Sequence, residues 1–185
     1  MRLGLEDPDP VVVQIGAVRL GLEDDYPILG TIKFFIKPID RYGDDFEIDP
    51  FFTQFTGISK EIISEEGKQL KVALEDLDRF SEGASFWSWG KDEFNALAIS
   101  CYVANICPPI PATRFDNACK LLLRAGMPQE DLDKTRSNGL AAYYGLDSST
   151  LSAHDALDDA RSITYALQHL LHKGDLSVDD FQKPT

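Results

Sequence analysis

The chain has 185 residues, which is enough for one domain with a full hydrophobic core. It is 43% hydrophobic, and 18 basic against 31 acidic residues give a formal net charge of −13. This charge excludes a protein held to nucleic acid by a generally basic surface, so any nucleic-acid role needs a local site with metal ions between phosphates and carboxylates. The three cysteines form neither a disulfide framework nor a close zinc-binding pair, no apolar run is long enough to span a membrane, and the acidic N-terminus is unlike a signal sequence. We therefore expect a cytoplasmic protein that does not associate with membranes.

The first predicted elements are two strands. After a predicted coil over residues 1–10, residues 11–20 are largely apolar on both faces of a strand, as is typical of a strand inside a covered sheet. Residues 31–37 alternate as a second strand, which Pro38 ends. The two strands are expected to form an antiparallel hairpin. The hairpin gives the first strand only one neighbour, although an interior strand needs two.

Helices and short strands alternate after the hairpin. The predicted elements are a short helix capped by Ser59, an amphipathic helix over residues 70–80, a buried strand over 84–89, helices over 93–106, 137–144 and 155–172, and an extended piece that turns into a helix over 114–124. This alternation predicts an α/β fold in which helices cover a mixed sheet. We assign residues 1–174 to one domain and residues 175–185 to a polar C-terminal tail.

Residues 152–162 place one imidazole and three carboxylates at the start of the last predicted helix. Asp155 can cap this helix, and acidic residues in its first turn complement the helix dipole. Asp159 is expected to face the buried side of the helix, and Asp158 to face the other side together with Ser162. The buried side is marked by apolar residues at helical spacing: Ala156, Ala160, Ile163, Leu167 and Leu170.

A carboxylate that faces a packed surface needs a partner, and a divalent metal ion would keep Asp159 ionised. His154, just before the helix, could act as general base on a metal-bound water. Spacing alone favours a simpler interpretation, a capped surface helix with an acidic first turn. Asp92, taken alone, is likewise better explained as a helix cap than as a metal ligand.

Four segments in the same order resemble motifs of one enzyme superfamily. They are Gln-Ile-Gly-Ala-Val at residues 14–18, Phe-Thr-Gly-Ile-Ser at 55–59, Ser-Trp-Gly-Lys-Asp at 88–92, and the pair His154 and Asp159. Together they resemble the DEDDh 3′–5′ exonucleases of the ribonuclease-H-like fold, which include proofreading exonucleases and ribonuclease T. This resemblance implies a ribonuclease-H-like mixed β-sheet flanked by helices.

One motif of that family has no counterpart here. In the family a first strand with an Asp-x-Glu pair precedes the segment that resembles residues 14–18, whereas only ten residues precede Val11. We therefore expect the first, central strand to be missing and the exonuclease-like domain to be incomplete at its N-terminus. A truncated start, a wrongly assigned start and a degenerate member of the family remain alternatives.

The resemblance also assigns roles to residues. It implies two Mg²⁺ or Mn²⁺ ions, with Asp159 as ligand of the tighter ion and Asp92 as support for the second, partly through water. It implies that His154 removes a proton from the attacking water, and that Thr56 and Ile58 contact the terminal nucleotide.

The functional hypothesis is a metal-dependent 3′–5′ exonuclease that hydrolyses terminal phosphodiester bonds of single-stranded RNA or DNA to nucleoside monophosphates. The missing Asp-x-Glu pair favours an alternative, a catalytically impaired exonuclease-like module that binds nucleic acid or a protein partner. A third interpretation is a homodimer in which another segment supplies the central strand. The choice between RNA and DNA stays open, because no motif reads the sugar 2′-hydroxyl.

Overall fold

The structure is a computed structural model that describes residues 11–45 and 48–182. The predicted coil over residues 1–10, and with it the question of a first strand, lies outside the described residues. The elements of the described chain follow the predicted alternation. They are β1 (Gln14–Leu20), β2 (Ile28–Phe35), α1 (Pro50–Thr56), α2 (Lys60–Glu66), α3 (Leu70–Ser81), β3 (Phe86–Ser88), α4 (Asp92–Val103), β4 (Phe115–Asn117), α5 (Cys119–Arg124), α6 (Gln129–Lys134), α7 (Leu140–Tyr143) and α8 (Ala156–Lys173), with short 3₁₀ turns at Ala112–Arg114, Ser137–Gly139 and Val178–Phe181.

Strands β1 and β2 form the predicted hairpin. The Gly21 N–H donates to Pro27 O at 2.8 Å beside the turn, and the Ile36 N–H donates to Val13 O at 2.9 Å at the other end. The residue numbers fall from 21 to 13 along the first strand while they rise from 27 to 36 along the second, so the strands are antiparallel. Within the described chain β1 pairs only with β2, and it is half buried rather than fully covered, with Ile15 as its one buried residue.

Strands β3 and β4 form a second, parallel pair. Phe86 lies opposite Phe115, and their rings stack with centroids 5.0 Å apart. Parallel strands need a crossover connection, and α4 lies in the chain between them. Small sheets with helical connections confirm the predicted α/β class. No helix in residues 11–45 and 48–182 is long and apolar enough to cross a membrane.

The described chain divides into two compact units. The assignment of residues 1–174 to one domain stays a prediction. Among the described residues, the first unit comprises 11–15, 34–45, 48–84 and 92–114, and the second comprises 16–33, 85–91 and 115–182. Each unit is assembled from separated segments, so composition along the chain gives no sign of the division. The core of the first unit includes Phe34, Ile36, Ile58, Ile63, Leu70, Ala73, Leu74, Leu77, Cys101 and Ile110.

Helix α8 crosses the core of the second unit. It begins after Asp155, and Gly174 ends it in the left-handed conformation, with φ 79°. The cluster around it consists of Ala118, Leu121, Leu122, Met127, Leu132, Leu140, Ile163, Ala166, Leu167, Leu170, Leu171 and Leu176. These contacts pack α8 into the core of the unit, and the predicted site lies at the start of this helix.

The segment after α8 is described up to residue 182 and includes the 3₁₀ turn at Val178–Phe181. Leu176 is 3% exposed, and the Phe181 ring lies edge-on to Trp87 with centroids 5.6 Å apart. Arg124 and Asp180 form an ion pair at 3.0 Å. The apolar side chains of Leu176 and Phe181 therefore anchor a segment that is mostly polar.

Candidate active site

Asp155 caps α8 as predicted. One oxygen of its carboxylate, Oδ1, accepts the Leu157 N–H at 3.0 Å and the Asp158 N–H at 3.2 Å. Burial by itself raises the pKa of Asp155. The hydrogen bond from Lys33 and the two helix N–H groups outweigh it, so the pKa lies below its ordinary value. Asp155 is therefore a charged structural group at the helix start.

Asp159 has a different environment from that of its acidic neighbours. Its Oδ1 atom is buried and has no hydrogen-bond partner within residues 11–45 and 48–182. Burial raises the pKa of Asp159, and the charges of Asp155 and Asp158 act in the same direction, whereas His154 opposes them. A buried carboxylate oxygen without a donor is a costly arrangement, and a hard divalent cation satisfies it.

His154 lies directly before the cap, with its backbone in the left-handed region at φ 68°. Its backbone N–H donates to the Asp159 carboxylate, and its half-buried side chain is close enough to interact with that carboxylate electrostatically. A non-glycine residue at positive φ is uncommon and is often found at functional sites. The structure thus brings together the two residues that the sequence predicted as general base and metal ligand.

Asp158 is engaged elsewhere. Its carboxylate accepts the Ser152 N–H at 3.0 Å and pairs with Arg161 at 2.7 Å. Ser162, which we expected beside Asp158 on the outer side, is instead fully buried and accepts the Ala141 N–H at 3.0 Å. Of the acidic residues at the start of α8, only Asp159 keeps a buried oxygen without a partner in the described chain.

Asp92, Thr56 and Ile58 belong to the first compact unit, whereas His154 and Asp159 belong to the second. Asp92 is exposed in the first turn of α4. The Thr56 hydroxyl donates to Phe52 O at 2.8 Å and accepts the Ile58 N–H at 3.2 Å, and Ile58 is 4% exposed. The roles of these three residues stay predictions.

The described residues contain no group of three or more His, Cys, Asp or Glu side chains arranged to hold a metal ion. The residues that are present nevertheless fit a cation at one point, the unpartnered oxygen of Asp159. Carboxylate oxygen is the ligand that Mg²⁺ and Mn²⁺ prefer.

Two residues at this site were not singled out from the sequence. A Cβ atom at Gly16 would overlap backbone atoms of Ala156 and Leu157, so the first turn of α8 approaches β1 where the strand has no side chain. Lys33 on β2 forms an ion pair with Asp155 at 3.0 Å. A glycine inside an apolar strand often marks such a close approach, whereas nothing in the sequence connects Lys33 with Asp155.

No family model and no curated protein matches the chain. Several solved structures do match it. A 3′-exonuclease whose structure is described as 3′-end-specific recognition of histone mRNA stem-loop is 16% identical with a TM-score of 0.62, and the match covers 89% of this chain and 84% of that one. A full-length 3′-exonuclease is 16% identical with a TM-score of 0.60, and the match covers 91% of this chain and 64% of that one.

Cell-death related nuclease 4 (CRN-4) is 20% identical with a TM-score of 0.61, and the match covers 89% of this chain and 65% of that one. This chain therefore spans slightly less than two thirds of the length of two of the three structures. Identities of 16–20% over nine tenths of the chain establish shared architecture. The chain shares the ribonuclease-H-like fold of these nuclease structures, which is the fold that the motifs indicated.

Proposed function

We propose that the chain is a metal-dependent 3′–5′ exonuclease that hydrolyses terminal phosphodiester bonds of single-stranded RNA or DNA to nucleoside monophosphates. One observation carries the proposal: Asp159 keeps a buried, unpartnered carboxylate oxygen beside His154 at the start of one helix. The fold supports it, since the similar structures are nucleases. Fold alone does not determine activity, so the argument depends on this pair.

Asp159 would hold a Mg²⁺ or Mn²⁺ ion through its unpartnered oxygen, and Asp92 would support a second ion. Bound metal ions would supply a nucleophilic water at neutral pH and stabilise the charge on the attacking and leaving oxygens. Asp92 is exposed, so its carboxylate is accessible to a water molecule that would link it to the second ion.

His154 would accept the proton of the attacking water on an imidazole nitrogen. An imidazole suits this task because its ordinary pKa is close to neutral pH. The cap at Asp155 and the hydrogen bond from the His154 N–H to Asp159 hold the backbone of this residue in place. Thr56 and Ile58 would contact the terminal nucleotide.

The proposed partners are the 3′ ends of single-stranded nucleic acid, with RNA and DNA both open. RNA is a natural first choice for assays, because one similar structure is described as recognising the 3′ end of an mRNA stem-loop. We further propose a cytoplasmic location and no membrane partner.

One observation favours a second candidate, an exonuclease-like module that binds nucleic acid or a protein partner without cleavage. The described residues hold no group of three metal-ligating side chains, whereas a two-metal site needs several carboxylates. The same experiment separates the two candidates.

The test is an exonuclease assay on 5′-labelled single-stranded RNA and DNA with Mn²⁺, comparing the protein with Asp159→Ala and with the matched control Glu75→Gln. Glu75 is exposed on α3 and pairs only loosely with Lys71, at 4.0 Å. We expect a ladder of products shortened from the 3′ end, unchanged in Glu75→Gln and reduced about a thousandfold in Asp159→Ala, as loss of several kcal/mol of transition-state stabilisation requires.

Circular dichroism would confirm that all three proteins are folded. A folded protein that binds the oligonucleotide and leaves it intact would contradict the exonuclease and support the binding module. A ladder that persists in Asp159→Ala would remove Asp159 from the site.

A further inference from the structure

Lys33, a basic residue on β2, connects the hairpin to the start of α8. Its Nζ lies 3.0 Å from Asp155 Oδ2, while Oδ1 of the same carboxylate caps the helix. The side chains of Lys33 and Asp155 are 38% and 23% exposed, so the pair is partly shielded from water. Asp155 therefore contacts the α8 backbone through Oδ1 and Lys33 on β2 through Oδ2.

Both strands of the hairpin reach the start of α8. Gly16 lies on β1 and Lys33 on β2. The absent side chain of Gly16 leaves room for the backbone of α8, and Lys33 extends beside it to Asp155. The hairpin thus holds the first turn of α8 at two neighbouring points.

We infer that Lys33 is a positioning residue for hydrolysis: by fixing Asp155, it fixes the backbone from which His154 and Asp159 act. This inference rests on the proposed function. Asp155 follows His154 directly, and the His154 N–H is bonded to the Asp159 carboxylate. A shift of the cap therefore moves the general base and the metal-binding carboxylate relative to each other.

In this role Lys33 holds Asp155 in position through the ion pair and does not contact the substrate, which makes the effect specific to kcat. Small displacements of reacting groups reduce turnover strongly, whereas substrate affinity is affected only by groups that contact the substrate. Any long cationic side chain at position 33 could form this ion pair, so Lys33→Arg should keep kcat unchanged. An uncharged side chain of similar length cannot form the pair, so Lys33→Met should lower kcat.

The experiment compares Lys33→Met, Lys33→Arg and a matched control, Lys68→Met. Lys68 forms a similar ion pair with Asp76, at 2.7 Å with side chains 42% and 21% exposed, in the first compact unit. The kcat and KM of each protein are measured on the same 5′-labelled oligonucleotide. Amide hydrogen exchange of His154, Leu157 and Asp158 is measured without metal.

We expect Lys33→Met to lower kcat about tenfold to a hundredfold with KM unchanged. We also expect it to speed exchange at the three amides, while Lys33→Arg and Lys68→Met behave like the unmodified protein. Unchanged kcat in Lys33→Met, or exchange rates equal to those of Lys68→Met, would overturn the inference. A rise in KM with kcat unchanged would also overturn it, because Lys33 would then act in substrate binding. An unmodified protein without exonuclease activity would overturn the proposed function itself, and the inference with it.

Discussion

Helices α4 and α8 begin with the same sequence feature and differ in what surrounds it. Each has two acidic residues in its first turn, Asp92 and Glu93 in α4 and Asp158 and Asp159 in α8. The pair in α4 is exposed, whereas Asp159 in α8 is partly buried and has an oxygen without a donor in the described chain. An acidic first turn is thus common to both helices, and burial of one carboxylate is what distinguishes the candidate site.

The start of α8 also shows a division of tasks among adjacent carboxylates. Asp155 is bonded to the helix and to Lys33, and Asp158 is bonded to Ser152 and Arg161. Because these two are satisfied by protein groups, a cation added there would compete with existing bonds. Asp159 is the carboxylate for which a cation adds a bond without breaking one.

The largest expected effect on stability is at the contact between β1 and α8. Gly16→Ala should lower the free energy of unfolding by about 1–3 kcal/mol, because the added Cβ overlaps helix backbone that cannot easily move. Gly139→Ala is the control, since a Cβ there meets only Thr135 at 4.0 Å. Urea unfolding of both variants measures the difference. Equal midpoints would show that α8 does not depend on this close approach.

A smaller effect should distinguish the two helix starts directly. Asp155→Ala should lower the free energy of unfolding by about 1–2 kcal/mol through loss of the cap and the Lys33 pair, whereas Asp92→Ala should change it by less than about 0.5 kcal/mol. The folded-state pKa of Asp155 is depressed, so its contribution is present above the ordinary value of 3.8 and is lost as the pH falls through the folded pKa. Urea melts at pH 7 and in this acidic range measure both effects. A larger loss in Asp92→Ala would reverse the comparison.

The smallest effect concerns Asp159 without metal. Its folded-state pKa is raised, so its stability contribution is present below 3.8 and is lost as the pH rises through the folded pKa. Asp159→Asn should therefore raise the melting temperature at pH 7 by about 2–4 °C or less, corresponding to about 1 kcal/mol, and this gain should vanish in acid. Added Mn²⁺ should stabilise the unmodified protein and leave Asp159→Asn unchanged. Equal stabilisation of both would place the ion elsewhere.

Much of the fold could be predicted because its signals are local. Helix α8 follows from the periodic apolar residues after Asp155, and Asp155 caps the helix as expected. Helix α1 was missed, although Asp49 caps it and Pro50 begins it, a typical helix start. Ser162 was placed on the wrong side, since the prediction assumed one buried stripe, whereas α8 packs on more than one side.

The candidate site was predictable to the extent that it lies within one helix start. The orientation of Asp159 follows from its spacing relative to Ala156 and Ile163. The contribution of Lys33 was not predictable, because its contact with Asp155 joins residues 122 positions apart in the chain. The contact joins a strand to the start of a helix, and no local sequence pattern specifies it.

The left-handed backbone of His154 affects how substitutions at this position are interpreted. His154→Ala would remove the imidazole and also place alanine at φ 68°, a conformation that costs most L-residues about 1–2 kcal/mol. Asparagine adopts this conformation more readily, so His154→Asn removes the imidazole with less strain in the backbone. Comparing the two variants separates the chemical contribution of the ring from the conformational preference of the residue that carries it.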